Sequence, residues 1–589
     1  MTSKSKNIAL QATFQTFVSC YVREIPSNQE WKKENIDGVE MDCLHLYLTH
    51  NQTHYCIELR YQSIVGPHQY GRTFSKKDTE SLVEIDQQTV LIAIMQELHF
   101  ISNDQSITEL IGRVFESMSN MTKMIEKKLA SSANQDLLTY LSQEKSLHYG
   151  HWLHPTPKSR QGMSDLLLHQ YSPELHGAFQ LHYFSVKRTM IEEYSTLSKS
   201  AGQFIIEELK NSRKDVPSVD LEKYLIVPMH PLQAQNLLHQ AYVQKAIERN
   251  DILDLGRLGD EYHATSSIRT VYSPSRHWMY KFSLPVKITN SLRVNKLHEL
   301  RAGVMVSDLI HSLPLHSTYS SFEIIHDPAY IRVKFNEVEN ESGWEVILRE
   351  NIFRGEEGRG VTLLAGLVQD PLPGNDSVLH TILKSLATKE DSSLEYVAIK
   401  WLEHYWKIAI EPLIHLYDEY GIALEAHQQN SLLNVSEGYP SRYYYRDNQG
   451  YYLSSSRKNA LQGYVEGLQR MEELFYDDDL IQNRFTYYIL FNHIFSIIYR
   501  LGKDGILEEE WMLAWLKEKL VMLETELNDL GKKFVQKILN EKTLPQKANL
   551  LTRVYGIDEL SAELEQAVYV NIHNPIALGT RGEPHVITM

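Results

Sequence analysis

A short polar stretch, Leu424–Leu433 with the sequence L-E-A-H-Q-Q-N-S-L-L, lies between two apolar segments in the last third of the chain. It carries a carboxylate, an imidazole and three amides, and Asp447 follows a short distance later. Glu425, Asn430 and Asp447 supply the hard oxygen ligands that Mg²⁺ prefers beside substrate phosphates. The pattern predicts a metal-binding loop with His427 facing a reacting group, but it fits a hydrogen-bonded turn in the core equally well.

The segment around Asp447 also has a simpler interpretation. In S-R-Y-Y-Y-R-D-N-Q-G-Y-Y-L, turn-forming residues separate two tyrosine-rich runs. This pattern predicts a β-hairpin with the tight turn Asp-Asn-Gln-Gly. The H-E-x-x-H signature of zinc peptidases is absent, since the polar stretch holds a single histidine.

A Pro- and Gly-rich loop, Gly150–Gly162 with the sequence G-H-W-L-H-P-T-P-K-S-R-Q-G, forms the second candidate. It presents His151, His154, Lys158 and Arg160 on a backbone that two prolines restrict. Cationic donors on a segment that loses little entropy on binding are what an anion or phosphate clamp needs. A solvated basic turn accounts for the same residues about as well, and a zinc site lacks a third ligand nearby.

Two segments in the middle of the chain combine hydroxyls with cations: Ala264–Tyr272 (A-T-S-S-I-R-T-V-Y) and Lys281–Arg293 (K-F-S-L-P-V-K-I-T-N-S-L-R). If both are strands, alternation puts residues 267, 269 and 271 on one face, and residues 281, 287, 289 and 293 on one side of the second strand. Such faces suit a nucleoside triphosphate or a polycarboxylate. The polar outer face of an antiparallel sheet is the alternative. The P-loop and Rossmann glycine motifs are absent.

The elements that must position these residues begin with a helix-rich N-terminal region. Apolar residues from Leu10 to Tyr21 recur at helical spacing. Alternating apolar residues predict strands at Cys43–Leu48 and Tyr55–Tyr61, and the pattern from Thr89 to about Ala133 is helical again.

The predicted type of secondary structure changes twice along the rest of the chain. Extended runs at Tyr224–Pro228, Arg269–Tyr272, Trp278–Leu284 and Tyr330–Phe335 predict a sheet in the middle region. Beyond it, long amphipathic helices are predicted near residues 395–420, 457–475, 483–502 and 508–540, with a strand-rich island at 422–453. The loop Gly150–Gly162 and the turn signal D-P-L-P-G at Asp370–Gly374 mark the boundaries. We therefore predict three domains, 1–150, 151–370 and 371–589.

Composition limits the class of protein. The chain has 589 residues, too many for one core, and a formal net charge of −16. That charge argues against nucleic acid or an anionic membrane as a partner. Three cysteines without metal-ligand spacing predict a reduced, intracellular protein. Since no secretory h-region and no long apolar run is present, we expect a cytoplasmic one.

Six motifs occur in order along nearly the whole chain. They are G-H-x-x-H-P-x-x-K-S-R-x-G, P-M-H-P-L-Q, S-S-I-R-T, K-F-S-L-P-V-K-I-T-N-S-L-R, L-E-A-H-Q-Q-N and R-D-N-Q-G. Together they resemble the aerobactin-synthetase family, the siderophore synthetases that work independently of nonribosomal peptide synthetases. Finer matches, such as H-P-T-P-K-S-R-Q-G and K-A-N-L-L-T-R, are similar to the petrobactin type, which joins citrate to spermidine. Trp152 departs from the family's G-H-P-x-H-P, in a form that the petrobactin type shares.

The resemblance implies an α+β, multidomain fold like a cupped hand, with thumb, fingers and palm, mixed or antiparallel sheets and a helix-rich C-terminal domain. It also implies a homodimeric ligase that uses Mg²⁺ and ATP. A carboxylate of citrate would attack the α-phosphate of ATP to give citryl-AMP and pyrophosphate. A primary amine, such as the polyamine spermidine or putrescine, would then form an amide and release AMP.

The family's functional positions fall on residues of the candidate segments. For ATP they are His154, Lys158, Ser267, Arg269, Thr270, Lys281, Gln429 and Asn430. For the metal they are Glu425, Asn430 and Asp447, and for citrate Thr289, Arg293, His427 and Lys547. Of these, His427, Arg293 and Lys281 would act in catalysis. Lys547 by itself would be assigned to a helix surface.

Two other functions stay open from the residues alone. The pairing of Asn430 with Asp447 also matches the magnesium ligands of a kinase-like phosphotransferase, which would release ADP. A citrate- or siderophore-binding protein would need neither ATP nor Mg²⁺.

Overall fold

A computed structural model gives the structure of the chain and describes residues 2–77, 81–100, 104–131, 138–212, 218–289, 291–336, 338, 341–447, 449–557 and 567–577. Helices and largely antiparallel sheets share it, so the predicted α+β class is confirmed. Large apolar clusters form separate cores in the N-terminal, middle and C-terminal parts, as expected of a multidomain protein.

The N-terminal part packs helices on an antiparallel sheet. Its helices are Ser3–Glu24, Gln87–His99, Asp104–Ala130 and Tyr140–Glu144, and its strands, in spatial order, are Gln29–Ile36, Val39–Leu48, Thr53–Tyr61, Gln69–Lys77 and Ser81–Ile85. The first helix starts where the Thr2 hydroxyl accepts a hydrogen bond from the Ser5 backbone N–H. The predicted first helix and two strands are confirmed. The helix predicted from Thr89 is two helices, and residues 132–133 at its predicted end lie outside the described residues.

The middle part is built on one eight-stranded antiparallel sheet. In spatial order its strands are Ile191–Ser195, Ala329–Val333, Val346–Glu350, Trp278–Phe282, Thr270–Tyr272, Ile252–Ala264, Ala178–Lys187 and Tyr224–Met229. Its helices are Asp165–Tyr171, Ala201–Lys210, Pro231–Leu238, Ala241–Glu248, Leu297–Ser312, Leu315–Thr318 and Leu364–Val368. All four predicted extended runs are strands of this sheet. The central strands Thr270–Tyr272 and Trp278–Phe282 are buried throughout, which places the sheet at the centre of its core.

The C-terminal part is mainly helical, as predicted. Its helices are Val378–Glu390, Leu394–Tyr405, Glu411–Tyr420, Lys458–Leu461, Asp478–Thr486, Phe495–Lys503, Glu509–Glu526, Leu530–Asn540 and Asn549–Val554, with π-helical turns at Trp406–Ile410 and Tyr487–Ile494. The long helix predicted at 457–475 is wrong. Gly463 and Gly467 interrupt that segment, and Gly467 adopts φ +90°, a left-handed conformation that ends a helix.

The strand-rich island at 422–453 is confirmed, but its strands belong to two sheets. One sheet orders Phe322–Ile325, Arg442–Arg446, Ser431–Asn434 and Val361–Leu363, and the other orders Ile422–Leu424, Tyr451–Ser454 and Phe475–Tyr476. The predicted hairpin around Asp447 is therefore wrong, because the two tyrosine-rich strands pair with other strands rather than with each other. Asn448, within the predicted turn, lies outside the described residues.

Two loops cross side by side from one of these sheets to the other. The first runs from Leu424 to Ser431 and the second from Arg446 to Tyr451. The Glu425 N–H donates to the Gly450 carbonyl oxygen at 2.8 Å, and the Arg446 N–H donates to the Asn430 carbonyl oxygen at 3.0 Å. The polar residues of both loops thus meet where the sheets part.

Two small sheets complete the fold. One pairs Arg160–Gln161, Lys287–Ile288 and Ser291–Leu292, and the other pairs Thr543–Lys547 with Tyr569–His573. None of the helices in the described ranges has the length and apolarity that a bilayer span requires. The predicted boundaries near 150 and 370 stay predictions; strand Phe322–Ile325 pairs with Arg442–Arg446 across the second of them.

Candidate active site

All residues that the family resemblance assigns to ligand binding or catalysis line one cavity of about 420 Å³, within the size range of small-molecule sites. They are His154, Lys158, Ser267, Arg269, Thr270, Lys281, Thr289, Arg293, Glu425, His427, Gln429, Asn430, Asp447 and Lys547. Their roles stay predictions, but segments far apart in sequence converge here.

The loop Gly150–Gly162 is buried rather than a solvated turn, since His154, Lys158 and Arg160 are each at most 5% exposed. Gly150 adopts φ +80°, and a Cβ there would lie 2.9 Å from the Pro157 Cβ, so the tight approach requires glycine. His154 accepts a hydrogen bond at Nδ1 from the Thr156 N–H.

A buried carboxylate holds the cations of this loop. Glu174 accepts from Lys158 Nζ at 2.6 Å and from Arg160 at 2.7 Å. Burial alone would raise the pKa of Glu174, but Arg160 and Lys158 lower it to about 2. The cluster of Lys158, Arg160 and Glu174 carries two positive charges against one negative, and Lys158 is not a free cation.

Replacing Glu174 with Gln should destabilise the protein by about 3 kcal/mol, because it leaves two buried cations without their carboxylate. Since the folded pKa is depressed, the stabilisation is present above the unfolded value near 4.5 and is lost as the pH falls towards 2. Denaturant unfolding at pH 7 measures the loss. Glu207→Gln, at the exposed pair with Lys199, is the control, and equal effects of the two variants would contradict this account.

The segment 266–272 forms a turn followed by a short strand, not one long strand. The predicted common face of residues 267, 269 and 271 is therefore wrong, because Ile268 adopts φ +67° and the strand begins only at Thr270. The turn still presents polar groups together. The Ser267 hydroxyl accepts from the Thr270 N–H, and Arg269 donates to Asn295 and to Gln449.

The segment 281–293 is also divided. The strand with Lys281 ends at Phe282, and Lys287 and Arg293 belong to a separate small hairpin that turns at Thr289 with φ +53°. Lys287 pairs with Glu109 at 3.3 Å and does not line the cavity, so its predicted alignment with the other cations is wrong. Arg293 reaches the cavity and donates to the Thr289 hydroxyl at 3.1 Å.

Lys281 and Asp447 form the central ion pair, 3.1 Å apart. Burial lowers the pKa of Lys281 to about 8, although Asp447 opposes the shift. Burial alone would raise the pKa of Asp447, but Lys281, Arg349 and Arg269 hold it well below its ordinary value. At neutral pH Asp447 is therefore ionised and Lys281 is largely charged.

The loop from Glu425 to Asn430 is a turn whose side chains face the cavity. The Gln429 N–H donates to His427 Nδ1, so in the neutral imidazole the proton is on Nε2. Burial lowers the pKa of His427 to about 4, which keeps the ring neutral at pH 7. Gln429 donates to the Ser266 hydroxyl at 3.1 Å and joins this loop to the turn before Thr270.

Lys547 lies at the end of the strand Thr543–Lys547 and is 7% exposed, not on a helix surface. It is brought to the cavity by pairing of its strand with Tyr569–His573, a contact that local sequence does not signal.

Sequence reasoning missed several lining residues. Arg349 lines the cavity and is held by Asp327 at 2.6 Å, while Arg446 is fixed by a buried ion pair with Glu144. Gln449 bridges Arg269 and Glu299. Arg446 and Gln449 belong to the motif R-D-N-Q-G and could have been selected from it. No motif in the sequence points to Arg349.

The residues predicted for a metal fit Mg²⁺. Glu425 and Asp447 present carboxylates to the same cavity. The Asn430 side-chain amide donates through Nδ2 to Asp447 Oδ2 at 3.2 Å, so its Oδ1 is the atom that could bind a metal. Within the described ranges no three His, Cys, Asp or Glu side chains cluster as ligands. Mg²⁺ is commonly held by one or two carboxylates together with substrate phosphates and water, so this donor set suits it.

Known proteins resemble the chain along almost its whole length. The family model described as IucA / IucC family matches residues 139–369, and that described as ferric iron reductase FhuF-like transporter matches residues 399–562. The spermidine-citrate ligase of Bacillus anthracis is 39% identical and covers 97% of this chain and 98% of its own. The rhizobactin siderophore biosynthesis protein RhbC of Rhizobium meliloti is 31% identical, covering 96% and 97%.

A solved structure of a related protein has the same fold as this chain. The ATP-bound aerobactin synthetase IucA of Klebsiella pneumoniae superimposes with a TM-score of 0.86 at 23% identity, covering 96% of this chain and 99% of its own. The predicted multidomain fold of the aerobactin-synthetase type is thus confirmed. Since relatives above 30% identity match nearly end to end, the chain belongs to the IucA/IucC family and is an enzyme of the ligase type.

Proposed function

We propose that the protein is a siderophore-biosynthesis ligase that activates a carboxylate of citrate with Mg²⁺ and ATP and joins it to a primary amine. The observation that carries the proposal is the cavity itself, which the cations Lys281, Arg269 and Arg293 line together with the carboxylates of Asp447 and Glu425. ATP and citrate together bring about six or seven negative charges, which such fixed cations offset. The relative named spermidine-citrate ligase supports citrate and a polyamine as substrates.

The nucleotide would lie against the turn before Thr270. Ser267, Arg269 and Thr270 offer hydrogen-bond donors to phosphate oxygens, and Lys281 adds a charge from the neighbouring strand. His154 and Lys158 would close the site from the early loop. Mg²⁺, held by Glu425, Asn430 and Asp447, would neutralise phosphate charge while bound.

Citrate would lie between Arg293 and His427. Arg293, oriented by Thr289, can bind a carboxylate with two donors, and Lys547 supplies a second positive charge. The neutral His427 donates its Nε2–H to another citrate oxygen. A carboxylate oxygen then bonds to the α-phosphorus, the bond from that phosphorus to the bridging oxygen breaks, and pyrophosphate leaves with the electron pair.

The second step makes the amide. The neutral amine nitrogen bonds to the citryl carbonyl carbon, the carbon–oxygen bond to the phosphate breaks, and AMP leaves with the electron pair while nitrogen releases its proton. Arg293 and Lys281 would stabilise the oxyanion of the tetrahedral intermediate. The homodimer implied by the resemblance stays a prediction.

Incubation with ATP, Mg²⁺, citrate and spermidine should yield AMP and pyrophosphate in equal amounts with the amide, and none of these without citrate. Nucleotide chromatography and mass spectrometry measure the products. ADP as the nucleotide product would instead indicate a phosphotransferase. Citrate binding without any nucleotide turnover would indicate a binding protein.

A further inference from the structure

The charge around the cavity is uneven. Cations line the sides formed by the early loop, the middle sheet and Lys547. The stretch 451–488 forms another side and contributes five tyrosines, a leucine and Glu473. Among the described residues, no lysine or arginine of that stretch lines the cavity. We call this side the tyrosine wall and define it by Tyr452, Tyr476, Tyr488 and Glu473.

The rings of the tyrosine wall form a row that starts at the reacting end of the cavity. The Tyr488 ring centroid lies 6.2 Å from that of His427, Tyr452 lies 6.5 Å from Tyr488, and Tyr476 lies 5.4 Å from Tyr452. Tyr452 and Tyr488 are buried, Tyr476 is partly exposed and Glu473 is exposed. The row therefore leads from His427 to an acidic rim at the surface.

These rings suit a positive charge. Tyrosine faces attract ammonium and guanidinium groups. The Tyr452 ring already interacts in this way with the Arg484 guanidinium, 5.5 Å from its centroid, so a substrate ammonium would lie farther along the row, at Tyr476. A carboxylate on the same path would approach the Glu473 carboxylate, which repels it. The path thus favours a cation over an anion.

An amine substrate with two or more nitrogens needs such a path. Its attacking nitrogen must be neutral, but its distal nitrogens stay protonated at neutral pH. Near Arg293, Lys281 and Lys547 a distal ammonium would be repelled, because these cations face the citrate and nucleotide. Along the tyrosine wall it would be stabilised by the rings and by the carboxylate of Glu473.

We propose that the tyrosine wall is the amine subsite and that it selects a linear diamine or polyamine, whose distal ammonium lies against Tyr476 towards Glu473. The inference rests on the proposed citrate–amine ligase function. This subsite would disfavour amino acids as substrates, because their carboxylate would have to lie along the tyrosine wall, which carries no positive charge and ends at Glu473.

A panel of amines tests the selection. With the wild-type protein, kcat/KM for amide formation should be at least about tenfold higher for spermidine or 1,4-diaminobutane than for n-butylamine, which has the same chain but no distal ammonium. L-2,3-diaminopropanoate should be a poorer substrate than spermidine or 1,4-diaminobutane. Equal use of butylamine, or preference for the amino acid, would overturn the proposal.

Single substitutions then locate the contact. Glu473→Gln should raise KM for spermidine about threefold to fivefold and leave KM for butylamine unchanged. Glu472→Gln is the matched control, since Glu472 is also exposed but pairs with Lys458 and does not line the cavity. Tyr476→Leu should weaken spermidine use, whereas Tyr476→Phe, which keeps the ring face, should retain most of it.

Citrate-dependent pyrophosphate exchange in the absence of amine separates the two proposals. Exchange should be unchanged in Glu473→Gln and Tyr476→Leu, because adenylation precedes amine binding. If the wild-type protein shows no exchange, the proposed function is wrong. If exchange is normal but Glu473→Gln affects spermidine and butylamine equally, or neither, the amine subsite is wrong.

Discussion

Replacing Asp447 with Asn is expected to lower citrate-dependent pyrophosphate release by about 10³-fold. Asp447 is one of two carboxylates in the predicted metal set and the partner of Lys281 at 3.1 Å. Its low pKa, set by Lys281, Arg349 and Arg269 against the effect of burial, shows that it carries its charge at neutral pH. Asn keeps the size of the side chain but removes that charge, which would weaken Mg²⁺ binding and leave the phosphate charge of ATP less neutralised.

The Asp447 variant also leaves Lys281 buried without its carboxylate, which by itself is destabilising. The double variant Asp447→Asn/Lys281→Met removes both charges and should recover the melting temperature without recovering activity. Thermal unfolding and pyrophosphate release, measured on the same preparations, separate folding from catalysis. Retention of pyrophosphate release within tenfold of wild type by a folded Asp447→Asn protein would show that the metal assignment is wrong.

Arg293→Ala is expected to raise KM for citrate and to lower kcat/KM by about 10²-fold, with little change in KM for ATP. Arg293 lines the cavity and is oriented by the Thr289 hydroxyl at 3.1 Å, so it can present two donors to a carboxylate. Arg293→Lys should recover only part of the loss, because an ammonium cannot make the same two parallel hydrogen bonds. Initial rates at varied citrate and varied ATP measure the two KM values.

Lys287→Ala is the matched control for this experiment. Lys287 lies on the same small hairpin and carries the same charge, but it pairs with Glu109 at 3.3 Å and does not line the cavity. Its loss should leave KM for citrate within twofold. Similar effects of the Lys287 and Arg293 variants would mean that the net positive charge of the hairpin, not a specific contact, governs citrate binding.

Much of the secondary structure was predictable because it depends on local periodicity. The first helix and the strands Val39–Leu48 and Trp278–Phe282 follow from local runs of apolar residues. Prediction failed where one residue changes the backbone direction. The left-handed conformations of Gly467 and Thr289 lie inside segments that the pattern predicts as one continuous element. Beyond such a point the pattern no longer tells which face a side chain takes.

The candidate site was likewise only partly predictable from the sequence. The sequence by itself determined the types of residues that chemistry with citrate and a nucleotide needs, since the motifs that carry Lys281, His427 and Asp447 can be read in order along the chain. It also determined the family, because six ordered motifs depend on no knowledge of the fold.

Only the tertiary structure decided which of these residues meet. Asp447 faces Lys281 because two loops cross between separate sheets, not because a hairpin turns at Asp447. Arg349 joins the cavity through pairing of strands far apart in sequence, which leaves no local signal. The physical reason is that periodicity reports only whether a side chain faces the core or solvent, whereas a site depends on which distant segments the packed core holds side by side.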